Sequence, residues 1–278
     1  MILEFVKMHG LGNDFILLDG ITQKFSLSEK QISRLAHRKF GIGCDQLLIA
    51  EQSDAENVDF RYRIFNSDGS EAEQCGNGAR CFAQFVRRQG LTDKDCIKVE
   101  TLAGVFTLTI RDSSNVTVEM GEPVFDEALI PFVSQSNNEN HYLQFEDQQI
   151  EFFVVSMGNP HAVIFVDDVE QAQVRKIGSL LETDPRFPRK TNVQFVQVLN
   201  RENIRQRVFE RGVGETLASG SGACAAVAVV QKQNQADETV RVHMPGGELQ
   251  IHNHNHNNNS CLFMTGPTEY SFEGRVEV

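Results

Sequence analysis

The chain has 278 residues, 40% of them apolar, which suffices for one large core or two of medium size. Its net charge of −12 excludes the concentrated positive surface that nucleic acid or an anionic membrane requires of a partner. No apolar run approaches the roughly 18–20 residues of a membrane span.

Along the first half, the opening Met1–Lys7 carries Glu4 and Lys7 inside its apolar stretch and does not read as a signal peptide. Ser28 to Arg38 reads as a helix with Ser28 as its cap. Val58, Phe60, Tyr62 and Ile64 alternate with Asp59, Arg61 and Arg63, the period of a half-buried strand. Cys75 to Gln89 predicts a second helix ending at Gly90, with Arg87 and Arg88 as its solvated end. Lys98–Thr101 and Val105–Ile110, hinged at Ala103-Gly104, predict a hairpin. A boundary is expected near Gly121-Glu122-Pro123.

The second half repeats the plan. Glu151–Val155, His161–Val166, Val193–Val198 and Arg205–Phe209 are strand-like, and Ser134 to Asn140 is a polar loop. Ala223–Val230 is small and apolar all round, as a helix buried on every side would be. The tract His252–Asn259 places His252, His254 and His256 on one strand face. A solvated hairpin tip is the preferred reading over a metal site, and no metal is expected. Six cysteines (44, 75, 81, 96, 224 and 261) lack C-x-x-C spacing, so free thiols in a cytoplasmic protein are expected.

The halves also match residue by residue. At an offset of 209 − 65 = 144, residues 60–86 give eight identities: Arg61/Arg205, Arg63/Arg207, Phe65/Phe209, Glu71/Glu215, Gly76/Gly220, Gly78/Gly222, Ala79/Ala223 and Val86/Val230. Ordinary residue usage gives about two in such a window. The repeat pairs Cys75 with Ser219, each one residue before a G-x-G that opens a helix. Such a helix start concentrates N–H groups and positive dipole, which draws a thiol pKa down from about 8.5. The glycines let the N–H groups of Gly76, Asn77, Gly220 and Ser221 approach one carboxylate and stabilise charge developing beside it. Two reactive side chains on opposite faces of one molecule is the geometry of a racemase or epimerase. Amide-rich positions recur at similar offsets: Asn13 with Asn159 (146), Gln46 with Asn192 (146), and Asn66 with Glu210 (144). Arg211 beside Glu210 adds a carboxylate clamp.

On these residues the chain resembles the diaminopimelate epimerase family over essentially its whole length. The resemblance rests on Met-His-Gly-Leu-Gly-Asn-Asp-Phe (8–15), Gly-Cys-Asp-Gln (43–46), Phe-Asn-Ser-Asp-Gly (65–69), Cys-Gly-Asn-Gly-Ala-Arg (75–80), Gly-Asn-Pro-His (158–161) and Glu-Arg-Gly-Val-Gly-Glu-Thr (210–216). It implies an α+β fold of two pseudo-symmetric domains, residues 1–119 with 265–278 and residues 120–264. Each would be a β-barrel-like rolled sheet around a central helix, with the substrate between them. It implies a cofactor-independent interconversion of LL- and meso-diaminopimelate. By position, Cys75 is one acid/base, and Asn13, Gln46, Asn66, Asn159, Asn192, Glu210 and Arg211 contact substrate. Gly76, Asn77, Gly220 and Ser221 hold the reacting carboxylate, His161 and Glu210 adjust protonation, and Tyr270 lies at a homodimer interface.

One position departs from the family. Its second catalytic cysteine belongs between Ala218 and Gly220, where this chain has Ser219. A hydroxyl is a far weaker acid than a thiol, and losing one general acid/base costs about 10²–10⁴ in rate. The expectation is an impaired epimerase. The alternatives are a racemase of the same superfamily acting on another amino acid, or an amino-acid-binding protein without the chemistry.

Overall fold

The computed structural model describes residues 1–73, 75–134, 140–256 and 259–278, the side chains of 255, 256 and 259 excepted. The expected loop at 134–140 and the tip of the His252–Asn259 tract therefore lie largely outside the described residues. The chain divides into two compact units, Met1–Glu119 with Thr265–Val278, and Met120–Met264. No described helix is long and apolar enough to cross a membrane.

The first unit contains β1 (Ile2–Gly10), β2 (Asn13–Asp19), α1 (Glu29–Ala36), β3 (Gln46–Glu51), β4 (Phe60–Asn66), β5 (Glu71–Ala72), α2 (Gly76–Arg88), β6 (Cys96–Thr101), β7 (Gly104–Ile110) and most of β8 (Asn115–Gly121), whose last two residues belong to the second. The chain then builds β9 (His141–Phe145), β10 (Gln148–Ser156), β11 (Pro160–Phe165), α3 (Val174–Glu182), β12 (Asn192–Asn200), β13 (Asn203–Glu210), β14 (Gly214–Thr216), α4 (Gly220–Lys232), β15 (Thr239–Met244) and β16 (Gly247–His256). It returns through β17 (Asn259–Pro267) to β18 (Glu269–Glu277), which pairs antiparallel with β1.

The two units share one topology. In the first, β1–β2 is antiparallel, β2–β3 parallel, β3–β4 antiparallel, β4–β6 parallel and β6–β7 antiparallel. In the second, β10–β11, β11–β12, β12–β13, β13–β15 and β15–β16 run through the same alternation. Each parallel pair needs a crossover, and α1, α2, α3 and α4 supply the four. Within the second unit α4 packs against β10, β11, β12, β13, β15 and β16, so that sheet wraps its helix. Gly220 and residues 222–230 of α4 are buried, as an apolar helix with no polar face requires.

Local rules set the helix ends. Ser28 and Gln31 form a capping box at the start of α1, whose Ile32, Leu35 and Ala36 are buried. That helix stops at Ala36, two residues before the sequence-based end. His37 is extended, and the N–H groups of Gly41 and Ile42 fold back onto the carbonyls of His37 and Leu35. The ends of α2 and α4 are built alike. Gly90 (φ +68) and Asn234 (φ +55) take the left-handed conformation. Leu91 N–H reaches Val86 O and Gln235 N–H reaches Val230 O. The hairpin expected at Ala103-Gly104 forms, with Thr101 opposite Gly104. The strand expected from Val58 begins at Phe60, and Asp59 instead holds Lys98 N–H and Lys94.

Outside each sheet lies a further apolar layer. Leu3, Phe5, Ile16, Leu18, Leu47 and Ile49 pack with Ile32 and Leu35 of α1. Phe152, Ile164, Val193 and Phe195 pack with Ile177 and Leu181 of α3. Burying one such side chain is worth about 1.5–3 kcal/mol, so these layers hold the sheets against their helices.

Candidate active site

In the first unit the site is built at the start of α2. Cys75 is the N-cap (φ −150°, ψ 110°), and its Sγ accepts the Gly78 N–H at 3.4 Å. The sulfur lies 3.8 Å from Asn13 Oδ1, which also accepts from Asn77 Nδ2 at 3.4 Å. Asn13 is turned this way by Asp45, whose Oδ2 accepts from Asn13 Nδ2 at 3.1 Å. Asp45 is itself held by Arg38 at 2.7 Å, and Arg38 also pairs with Asp14. Burial works to raise the Asp14 carboxyl, but its bonds to Arg38 and Lys7 outweigh that and hold it well below the usual carboxylate range.

Sequence reasoning missed this Lys7–Asp14–Arg38–Asp45 cluster. Its signal in the sequence lies in the 8–15 and 43–46 motifs, which contain Asp14 and Asp45. Beneath the helix start, the buried Tyr62 hydroxyl donates to Cys75 O at 3.5 Å. Arg80, fully buried one turn along, donates to Gly76 O and Pro267 O, each at 3.4 Å. Gln46 and Asn66 face each other across β3 and β4, with Gln46 Nε2 donating to Asn66 Oδ1 at 3.0 Å.

The second unit repeats the arrangement around α4. Ser219 is the N-cap (φ −137°, ψ 119°), buried, and its Oγ accepts the Gly222 N–H at 3.4 Å. In both helices the cap uses only the N–H of the third residue. The N–H groups of Gly76, Asn77, Gly220 and Ser221 therefore belong to a first turn that has no intrahelical acceptors. Asn159 sits in a tight turn with Gly158 at φ +87, and its Oδ1 lies 2.9 Å from His161 Nε2. His161 is fully buried. That burial pushes its imidazole down to about 3, and the positive charge of Arg211 acts in the same direction. The ring is neutral at pH 7.

Asn192 ties two segments together. Its Nδ2 donates to Pro160 O and its Oδ1 accepts the Arg211 N–H, each at 3.1 Å. Glu210 Oε1 accepts from Thr216 Oγ1 at 2.6 Å. The exposed Arg211 side chain places Nη1 3.3 Å from Arg189 O. The structure thus gathers Cys75, Asn13 and Asn77 in one unit, and pairs Asn159 with His161 and Asn192 with Arg211 in the other. Tyr270 belongs to neither group. It lies under the Arg88 guanidinium, 3.8 Å from its ring centre, at the opposite end of α2 from Cys75. Arg88 is therefore a stacked residue rather than only the solvated end of a helix. In the histidine tract, His252 Nδ1 bonds Thr239 Oγ1 at 2.9 Å.

A family model described as diaminopimelate epimerase matches residues 5–125 and 153–271. The chain is 52% identical to a diaminopimelate epimerase of Thioalkalivibrio sulfidiphilus and 51% identical to one of Aromatoleum aromaticum, with all of both chains covered in each case. It also resembles the crystal structure of a hydroxyproline epimerase from Agrobacterium vitis with bound trans-4-hydroxy-L-proline. That likeness has a TM-score of 0.72 at 14% identity, covers 99% of this chain and 92% of that one, and is one of fold. With the family model covering most of the sequence and full-length relatives at about half identity, the chain belongs to the diaminopimelate epimerase family.

Proposed function

We propose that this chain interconverts LL- and meso-diaminopimelate, without a cofactor, by proton transfer at the α-carbon. The observation that carries the reading is the pair of equivalent helix N-caps, Cys75 and Ser219, in a chain with full-length diaminopimelate epimerase relatives. The Cys75 thiolate takes the α-proton from one face. The group at position 219 returns a proton from the other, and the product is the inverted centre. Negative charge that builds on the α-carbon spreads into the adjacent carboxylate. There the N–H groups of Gly76, Asn77, Gly220 and Ser221 stabilise it.

Asn13, Gln46, Asn66, Asn159, Asn192, Glu210 and Arg211 recognise the rest of the substrate, with Arg211 on the distal carboxylate. His161 and Glu210 set the protonation of the acid/base pair. Ser219 is a poor proton carrier, so turnover is reduced while the binding groups remain. Exchange of the substrate α-hydrogen with tritiated water tests the chemistry, and absence of exchange with intact diaminopimelate binding would leave a binding protein. That second reading draws on the burial of Ser219 and the engagement of its hydroxyl by Gly222.

The proposal extends to a homodimer with Tyr270 in its interface, supported by Phe272 standing 47% exposed on the same strand. Loss of the dimer in Tyr270→Ala, read by light scattering, is the test. The proposal also includes a cytoplasmic setting, supported by cysteine spacing that lacks the pattern of a disulfide framework.

A further inference from the structure

The two units match in backbone but not in what lies beneath their central helices. In the first, Phe15 on β2, Leu48 on β3 and Tyr62 on β4 run diagonally across one sheet face. A Cβ on Gly78 of α2 would run into the Tyr62 hydroxyl and touch Phe15 and Leu48 at 3.3 and 3.4 Å. Adding 146, 146 and 144 to these positions gives His161, Gln194 and Gln206, and the registers of β11, β12 and β13 place them on the same diagonal. A Cβ on Gly222 of α4 would meet Gln194 Nε2 at 2.9 Å and Ser219 Oγ at 3.1 Å. An apolar layer closed by one phenol is thus replaced, under the Ser219 helix alone, by three polar side chains.

All three are at most 1% exposed. His161 Nδ1 and both carboxamide atoms of Gln194 and Gln206 meet no partner in good hydrogen-bond geometry among the described residues. Leaving such groups unsatisfied costs about 1–3 kcal/mol each, so five in one layer are hard to retain for stability alone. The ring itself gives their arrangement a direction. Its Nε2 faces Asn159 Oδ1, an oxygen that only accepts, so the single proton of the neutral ring sits on Nε2. Nδ1 is then a bare, buried acceptor, and Gln194 is its diagonal neighbour across the β11–β12 pair.

We propose that Gln194 is a positioning residue: its carboxamide N–H donates to His161 Nδ1 and holds the ring proton on Nε2, so that Asn159 accepts on Oδ1 and presents its Nδ2 hydrogens to an anionic group of the ligand. With the proton on Nδ1 instead, Nε2 would accept from Asn159 Nδ2, and Asn159 would turn its carbonyl toward the ligand, which repels a carboxylate. Gln194 therefore acts on recognition through two other side chains. Gln206, one diagonal step further, continues the polar layer.

The inference draws on the proposed substrate only for its binding probe. Long-range proton–nitrogen spectra of the full chain carrying ¹⁵N-histidine read the tautomer directly, with the His161 signals assigned by their loss in His161→Gln. The wild-type ring is expected as the Nε2–H form alone at pH 7. Gln194→Met keeps the length of the side chain and removes the donor. It is expected to admit the Nδ1–H form and to weaken LL-diaminopimelate binding about tenfold, the effect of one well-aligned hydrogen bond. A wild-type ring protonated on Nδ1 overturns the proposal without any variant, and an unchanged tautomer in Gln194→Met overturns it equally. If neither protein binds diaminopimelate while the tautomer shifts as stated, the substrate assignment fails and the positioning role stands.

Discussion

Cys75 and Ser219 occupy the same place at the starts of α2 and α4. Each side chain accepts the N–H of the residue three further on, at 3.4 Å in both cases. The backbone therefore treats sulfur and oxygen alike as caps, and the difference between them is chemical. A thiol ionises near neutral pH in such a setting, whereas a hydroxyl does not.

Ser219→Cys should accordingly raise the rate of diaminopimelate epimerisation by about 10²–10⁴, the usual worth of one general acid/base. Substrate affinity should change little, because the proposed carboxylate site consists of backbone N–H groups that the change leaves in place. Steady-state rates in both directions, with calorimetric binding alongside, make the check. A reverted protein no faster than the parent would remove the two-base mechanism.

Cys75 should be the first thiol alkylated by iodoacetamide at pH 7. Burial pushes both Cys44 and Cys81 up to about 12, so neither supplies thiolate. Cys96 is exposed but is the first residue of a strand and has no helix dipole behind it. Peptide mapping after brief treatment ranks the six. Cys96 reacting ahead of Cys75 would show that the helix start does not activate the sulfur.

Arg211→Lys should weaken diaminopimelate binding by roughly tenfold or more, although charge is kept. A guanidinium can give two parallel bonds to the distal carboxylate, and an ammonium offers a point charge on a flexible stem. Binding of a simple α-amino acid without a distal head should be nearly unaffected. Calorimetry on both ligands decides, and equal losses would mean that Arg211 mainly braces the Arg189 carbonyl.

His161 should make the protein acid-sensitive in a defined window. Its folded pKa of about 3 lies below the ordinary 6.5, so between those values the unfolded chain binds a proton that the folded chain refuses. Stability from this site is complete above pH 6.5 and is lost as pH falls toward 3, at about 1.4 kcal/mol per pH unit. Urea unfolding across that range should show a shallower acid decline in His161→Gln. Parallel curves would mean that the ring accepts a proton in the folded state.

Gly78→Ala should destabilise despite the better helix propensity of alanine. Propensity favours the change by about 1 kcal/mol. The new methyl, however, would strike the hydroxyl of Tyr62, which is 2% exposed and has nowhere to go. Overpacking of this kind costs about 1–3 kcal/mol, so a net loss is expected in chemical denaturation.

What the sequence determined by itself is what depends on neighbours a few residues apart. Ser28 caps α1 through Gln31, Cys75 and Gly90 bracket α2, and the all-apolar run from Ala223 lies buried in α4, because capping and periodicity act within one or two turns. The half-length repeat, read from Phe65 and Phe209, likewise carried the duplicated topology. Tertiary structure alone decided where side chains from distant segments meet. Asp45 turns Asn13, 32 residues before it, toward Cys75, which lies 62 residues beyond Asn13, and Asn192 joins Pro160 to Arg211. His161, Gln194 and Gln206 become one buried polar layer only when β11, β12 and β13 lie side by side in register. In sequence His161 and Gln194 look like polar residues near the starts of apolar strands, and Gln206 sits between Arg205 and Arg207. The physical reason is that register between strands, which no local propensity specifies, sets which side chains share a face and lose their water together.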